Sequence, residues 1–151
     1  MDQDQLRDML RRIAMIESSG GKNTNHPTIN SGLQSGQQAV GLYGLLPNTT
    51  REVVQSMRNR GAPVPQELQN IKQLSDDDIR DSMQNNTKLQ NYVAGDLMSR
   101  LLNRTGGDAD KAAYMWNNGT NIDPENIAPE DLDSNQYVSK FRNLKSKLNG
   151  I

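Results

Sequence analysis

The sequence contains no cysteine and a single histidine, His26. Thiol nucleophiles, disulfides and cysteine-ligated metals are therefore excluded, as are zinc sites built from several histidines. No metal or cofactor is expected. Bulky apolar side chains are also scarce. There is one Trp, one Phe and four Tyr, and Leu, Ile, Val and Phe together supply 30 of 151 residues. That fraction borders on the composition of disordered chains. The companion mark of disorder, a large net charge, is missing: 17 Lys+Arg against 18 Asp+Glu leave −1. Near-zero charge argues against general nucleic-acid binding. No Gly-rich phosphate loop of either standard type is present. No apolar run approaches the roughly 20 residues of a membrane span, so no membrane insertion is expected. No basic region followed by an apolar stretch opens the chain, so no secretory signal peptide is visible.

What remains is a chain long enough for one domain, 1–151, with a thin core and a very polar surface. Its mean hydropathy is −0.83. Asn and Gln are abundant, at 17 and 12 residues. Neutral hydrogen-bonding side chains suit a polar neutral ligand such as a sugar, and equally describe a plain polar surface.

The periodicity is helical almost throughout. Leu6, Met9, Leu10, Ile13 and Ile16 recur at three- and four-residue steps, and Gly20-Gly21 stop this first helix. Residues 22–38, rich in Asn, Ser, Gly and Gln, read as a long loop. Thr49 with Glu52 forms a capping box for a helix carrying Val53, Val54 and Met57, which ends at Gly61–Pro65. Pro65–Ile71 reads as a short helix. Ser75 before Asp76, Asp77 and Asp78 reads as another capped start. The longest helix starts at Thr87, with Leu89, Tyr92, Val93, Leu97, Leu101 and Leu102 on one face, and Gly106-Gly107 close it. Asp108 caps a helix through Ala112, Ala113 and Trp116. Residues 119–133 read as irregular. Ser134 caps a last helix with Tyr137, Val138, Phe141, Leu144 and Leu148 at helical spacing. No stretch alternates for long, so strands amount to a short ribbon at most. The expected fold is one compact all-α domain.

Glu17 is the most informative residue. It follows Ile13 by four positions, Leu10 by seven and Leu6 by eleven, which places it on the apolar face at the helix C-terminus. Partial desolvation and the negative helix end both disfavour its charged form. A raised carboxyl pKa is what a general acid near neutral pH requires. A helix-end Glu turned to solvent is the plain alternative.

The neighbouring residues extend this reading. Glu17-Ser18-Ser19-Gly20 is followed by Ser35, then by Ala39-Val40-Gly41-Leu42-Tyr43-Gly44-Leu45-Leu46-Pro47-Asn48-Thr49. Downstream stand Trp116-Asn117-Asn118-Gly119 and Tyr137-Val138-Ser139-Lys140-Phe141. Taken in order, these resemble the motifs of the lytic transglycosylases of soluble-transglycosylase (SLT) type. That family runs Glu-Ser-x-Gly, a loop with Ser, Ala-x-Gly-Leu-Met-Gln, Leu-Met-Pro and Thr, then Tyr-Asn-Ala-Gly and a late Tyr-Val-x-Lys-Val. The chain departs from it in four places. The loop from Glu17 to Ser35 is longer, Tyr43-Gly44 stand for Met-Gln, Trp116 for Tyr, and Gln38 for Gly. The local wording around Gly41–Leu45 and Ala112–Asn117 is similar to versions in bacteriophage proteins.

The resemblance implies a lysozyme-like fold and cleavage of the β-1,4 bond between N-acetylmuramic acid and N-acetylglucosamine in peptidoglycan. Glu17 would be the single general acid and base, and the product a 1,6-anhydro-muramic acid. Substrate-binding roles fall to Ser18, Ser35, Tyr43, Trp116, Asn117 and Tyr137. Asn117 would hold an N-acetyl group, and the Tyr137 hydroxyl would partner Glu17. On residue type alone, Ser18 reads equally as a helix-end anchor, Ser35 and His26 as loop residues, and Tyr43, Trp116 and Tyr137 as core. The partners implied are peptidoglycan glycan strands and, from the phage-like wording, other virion or secretion-apparatus proteins. The site of action would be the bacterial periplasm and cell wall. Carriage in a phage particle, release through another protein's pore or a trimmed start each reconcile that with the lack of a visible leader. Two rivals stand beside it. One is a hydrolytic muramidase on the same fold, with Asp96 or Asp108 as second carboxylate. The other is a non-catalytic structural or glycan-binding module.

Overall fold

A computed structural model describes residues 2–32 and 34–145. The described chain is mostly helical. Its α-helices are α1 (Gln3–Ser18), α2 (Pro47–Arg60), α3 (Asp76–Met83), α4 (Thr87–Arg104), α5 (Ala109–Asn118), α6 (Pro129–Ser134) and α7 (Gln136–Asn143). Short 3₁₀ turns stand at Gln66–Leu68, Ile71–Gln73 and Pro124–Asn126. Extended pairing among the described residues is limited to two isolated antiparallel bridges, Thr28 with Gln38 and Val40 with Leu45.

Several helix ends follow local chemistry. Ser75 and Asp78 form a reciprocal capping box at α3, and Asp108 accepts the Lys111 N–H at the start of α5. Gly61 closes α2 in the left-handed region, its N–H bonded back to Arg58 O and Met57 O.

Elsewhere the structure differs from the periodic reading. The Thr49–Glu52 box does not form, because α2 starts three residues earlier, with Leu46 in the cap position and Pro47 as its first residue. Proline fixes its own φ and has no N–H to satisfy. The next free donor, Asn48 N–H, is capped from a distance by Gln37 Oε1 at 3.0 Å. Residues 65–71 form a single 3₁₀ turn rather than a helix, and the second turn begins only at Ile71. Residues 119–133 are not irregular throughout, since Pro129 opens α6. Ser134 ends that helix, with its hydroxyl donating to Glu130 O, and Asn135 caps α7 by accepting the Val138 N–H. Leu148 lies outside the described residues.

The chain forms two compact units, residues 1–16 with 95–151, and residues 17–94; α1 and α4 each contribute to both. In the first unit α5, α6 and α7 pack on one another. Its core includes Met9, Ile13, Met98, Leu101, Leu102, Met115, Val138 and Phe141. In the second, α2 packs on α3. Its core includes Val40, Tyr43, Leu45, Val53, Val54, Met57, Leu68, Ile79, Met83 and Val93. Tyr92 is not part of the core face of α4. Its ring is exposed and its hydroxyl donates to Pro63 O.

The first unit also buries charge. Asp8 and Arg12, one helical turn apart on α1, are 8% and 7% exposed and stand 3.5 Å from each other. Arg12 donates to Phe141 O at 2.8 Å, and its guanidinium carbon sits 3.6 Å from the centre of the Phe141 ring. Burial pulls the Arg12 guanidinium below its ordinary pKa, and Asp8 opposes that shift. Arg11 reaches Asp8 at 3.3 Å and also donates to Lys145 O.

Removing one member of a buried pair costs about 3–5 kcal/mol, whereas an apolar swap of both is often neutral. Asp8→Ala should therefore lower stability by at least about 3 kcal/mol in denaturant unfolding. Asp8→Leu/Arg12→Met should recover part of that loss. An Asp8→Ala protein as stable as the wild type would show that the pair carries no weight.

Candidate active site

The last turn of α1 presents Glu17 and Ser18. Glu17 is half-buried and Ser18 is buried. The chain then reverses through Ser19, Gly20 and Gly21, all at positive φ. Ser18 fastens this reversal. Its hydroxyl accepts the Gly21 N–H at 3.0 Å and donates to Leu42 O at 2.7 Å. Ser18 thus acts on the main chain, joining the end of α1 to the segment 40–45.

That segment is a tight turn closed by Val40 and Leu45, which exchange backbone hydrogen bonds at 2.9 and 3.2 Å. Gly41 and Gly44 take φ of +77° and +64°, values that side chains other than glycine adopt only under strain. Gly44 meets a second constraint. A β-carbon on it would stand 2.6 Å from Glu17 Oε1 and 3.2 Å from Glu17 Cδ. Bare backbone therefore lies directly against the Glu17 carboxyl. The two segments that carry the first half of the family resemblance, 17–20 and 39–45, meet here.

The surrounding loop is knitted by amide and imidazole groups. His26 Nε2–H donates to Gly41 O at 2.8 Å, and Gln38 Nε2 donates to His26 O at 2.8 Å. Gln37 Nε2 donates to Asp76 Oδ2 at 2.7 Å, and Asp76 pairs with Arg51 at 2.6 Å. Gln90 is buried and bridges Leu42 N–H and Met83 O.

The remaining candidates sit as follows. Tyr43 is buried, with its hydroxyl donating to Asn91 Oδ1. Burial pushes its phenol above the ordinary value. Tyr43 packs the turn from within. Ser35 is exposed in the turn 34–36. Trp116, Asn117 and Tyr137 belong to the first unit. Trp116 is half-buried and Asn117 exposed near the end of α5, and Tyr137 is buried on α7. Asp96 pairs with Arg100 at 3.3 Å. Among the described residues no group of three or more His, Cys, Asp or Glu side chains is placed to hold a metal ion. No described helix is long and apolar enough to cross a membrane.

Sequence reasoning missed Gln37, Gln90 and the use of Gly44. A polar residue in the first turns of an amphipathic helix, as Gln90 is, carries no signal of its own. Gly44 was legible only as a departure from a family position. Comparison with family models, with curated proteins and with solved structures finds no match.

Gly61 supplies a control for Gly44, since it has a similar φ of +68° and nothing within 4 Å of its missing β-carbon. Gly61→Ala should cost about 1 kcal/mol from backbone strain alone. Gly44→Ala should cost more, and the excess should vanish in a Glu17→Ala background. Equal losses for the two glycines, measured by chemical denaturation, would mean that Gly44 does not press on Glu17.

Proposed function

We propose that this protein is a peptidoglycan lytic transglycosylase with a lysozyme-like fold, and that Glu17 is its single acid and base. The observation that carries the reading is the meeting of the Glu17–Ser18 helix end with the Gly41–Leu45 turn. It supports the reading because motif segments more than twenty residues apart in sequence become one constellation around one carboxyl group.

The chemistry is proton transfer without water. Glu17 gives its proton to the glycosidic oxygen of the β-1,4 bond as the muramic acid C1–O bond breaks. The N-acetyl oxygen of the substrate stabilises C1, so a second enzyme carboxylate is not needed; substrate assistance is a known exception to the two-carboxylate scheme. The Glu17 carboxylate then takes the proton of the C6 hydroxyl as that oxygen bonds C1. The product is a 1,6-anhydro ring, and Glu17 ends protonated as it began.

The carboxylates that a hydrolytic scheme would recruit are engaged elsewhere, Asp96 with Arg100 and Asp108 as the α5 cap. The resemblance assigns Ser35, Trp116 and Asn117 to the glycan. Ser18 and Tyr43 serve as supports of the turn. The substrate class places the activity in the bacterial cell wall.

Glu17→Gln tests the reading, because it keeps side-chain shape and removes the proton. General acid–base catalysis is worth on the order of 10²–10⁴-fold. The variant should fold as the wild type does, by circular dichroism and thermal midpoint, and should leave no clearing in a zymogram of purified peptidoglycan. More than about a tenth of wild-type lysis would remove Glu17 from the mechanism. A wild-type protein that clears nothing would leave the fold as a non-catalytic module.

A further inference from the structure

We propose that Gln90 is the positioning residue for the Glu17 carboxyl and acts through the main chain of Leu42. The inference rests on the reading of Glu17 as the acid of glycan cleavage and adds what sets that acid in place.

Gln90 lies in the first turns of α4 and is 4% exposed. Its Nε2 donates to Met83 O at 2.7 Å, and its Oε1 accepts the Leu42 N–H at 2.8 Å. One end of the amide is thus anchored on the last residue of α3 and the other grips the turn. Only one orientation of the amide satisfies both partners, since a carbonyl accepts and an N–H donates.

Gly41 makes the approach possible. A β-carbon there would fall 2.4 Å from the Gln90 amide carbon and 2.5 Å from both its oxygen and nitrogen. The two peptide groups that flank Leu42 are consequently both held, the Leu42 N–H by Gln90 and the Leu42 C=O by Ser18, the residue next to Glu17. Two residues further on, Gly44 rests against the Glu17 carboxyl. The turn cannot slide along the end of α1 without breaking one of these bonds.

A side chain that merely filled this space would need volume alone. Gln90 supplies direction as well, and placement errors near 1 Å cost on the order of 10²-fold in rate.

Gln90→Met separates volume from direction, because it nearly keeps size and removes both hydrogen bonds. Hydrogen exchange at the Leu42 amide should quicken. The Glu17 carboxyl ¹³C resonance and its titration midpoint should move. On peptidoglycan, kcat should fall by about tenfold or more with KM little changed. Gln90→Glu keeps an acceptor for the Leu42 N–H, and its neutral form can also donate to Met83 O. At acidic pH it should restore both the Leu42 protection and the Glu17 resonance.

If Gln90→Met does not fold, Gly41→Ala displaces the same amide and should give the same signature, with Gly61→Ala as the strain control. Unchanged Leu42 exchange and an unmoved Glu17 resonance in a folded variant would overturn the proposal. A wild-type protein without lytic activity would overturn the functional reading instead. The exchange and resonance measurements would still decide the role of Gln90.

Discussion

The candidate site depends on the main chain of one residue. Leu42 offers its N–H to Gln90 and its C=O to Ser18, and those two bonds join α4 to the end of α1 across a turn only six residues long. The two glycines on either side serve the same purpose. Gly41 admits the Gln90 amide, and Gly44 admits the Glu17 carboxyl. Each contact is a close approach of side chain to bare backbone, so a β-carbon at either place would push that side chain aside. A buried hydrogen bond to a main-chain group is modest in net energy, about 0.5–1.5 kcal/mol, but leaving a partner unsatisfied costs more. The arrangement is therefore selective for one placement of the turn rather than a large source of stability.

The same economy of apolar matter runs through the rest of the molecule. With so few large hydrophobic residues, the chain between α1 and α2 is held by Ser18, His26, Gln37, Gln38 and Gln90 as well as by the buried Val40, Tyr43 and Leu45. Not all of the abundant Asn and Gln face solvent, because Gln37 and Gln90 are buried and bridge separate segments. In the first unit the equivalent device is ionic, with Asp8 and Arg12 buried as a pair and Arg12 lying against the Phe141 ring.

Helix ends governed by adjacent residues were legible in the sequence. Ser75, Asp108 and the glycine at 61 act on donors or acceptors within a few positions, so their chemistry can be read locally. Ends governed by distant residues were not. The cap of α2 comes from Gln37, and no local pattern announces a partner eleven residues away. The stretch 119–133 reads as irregular in the sequence, yet proline is equally at home in the first turn of a helix, and Pro129 opens α6 there. Tyr92 has the spacing of a core residue, yet its hydroxyl is taken up by Pro63. On the candidate site, the placement of Glu17 and Ser18 at the end of α1 is legible from the helix face. The positions of Gln90 and Gly44 around them depend on how the chain returns, which spacing does not encode.

The chemistry that follows from a single carboxyl group is also the most exposed to test. An acid that works with the substrate's own N-acetyl oxygen closes the ring on C6 and leaves water out. An acid that works with a second carboxylate admits water at C1. The direct measurement is the mass of the muropeptides released from purified peptidoglycan. A 1,6-anhydro-muramic acid terminus, lighter by one water than the reducing sugar, is the predicted product. Reducing-end muramic acid as the main product would contradict it.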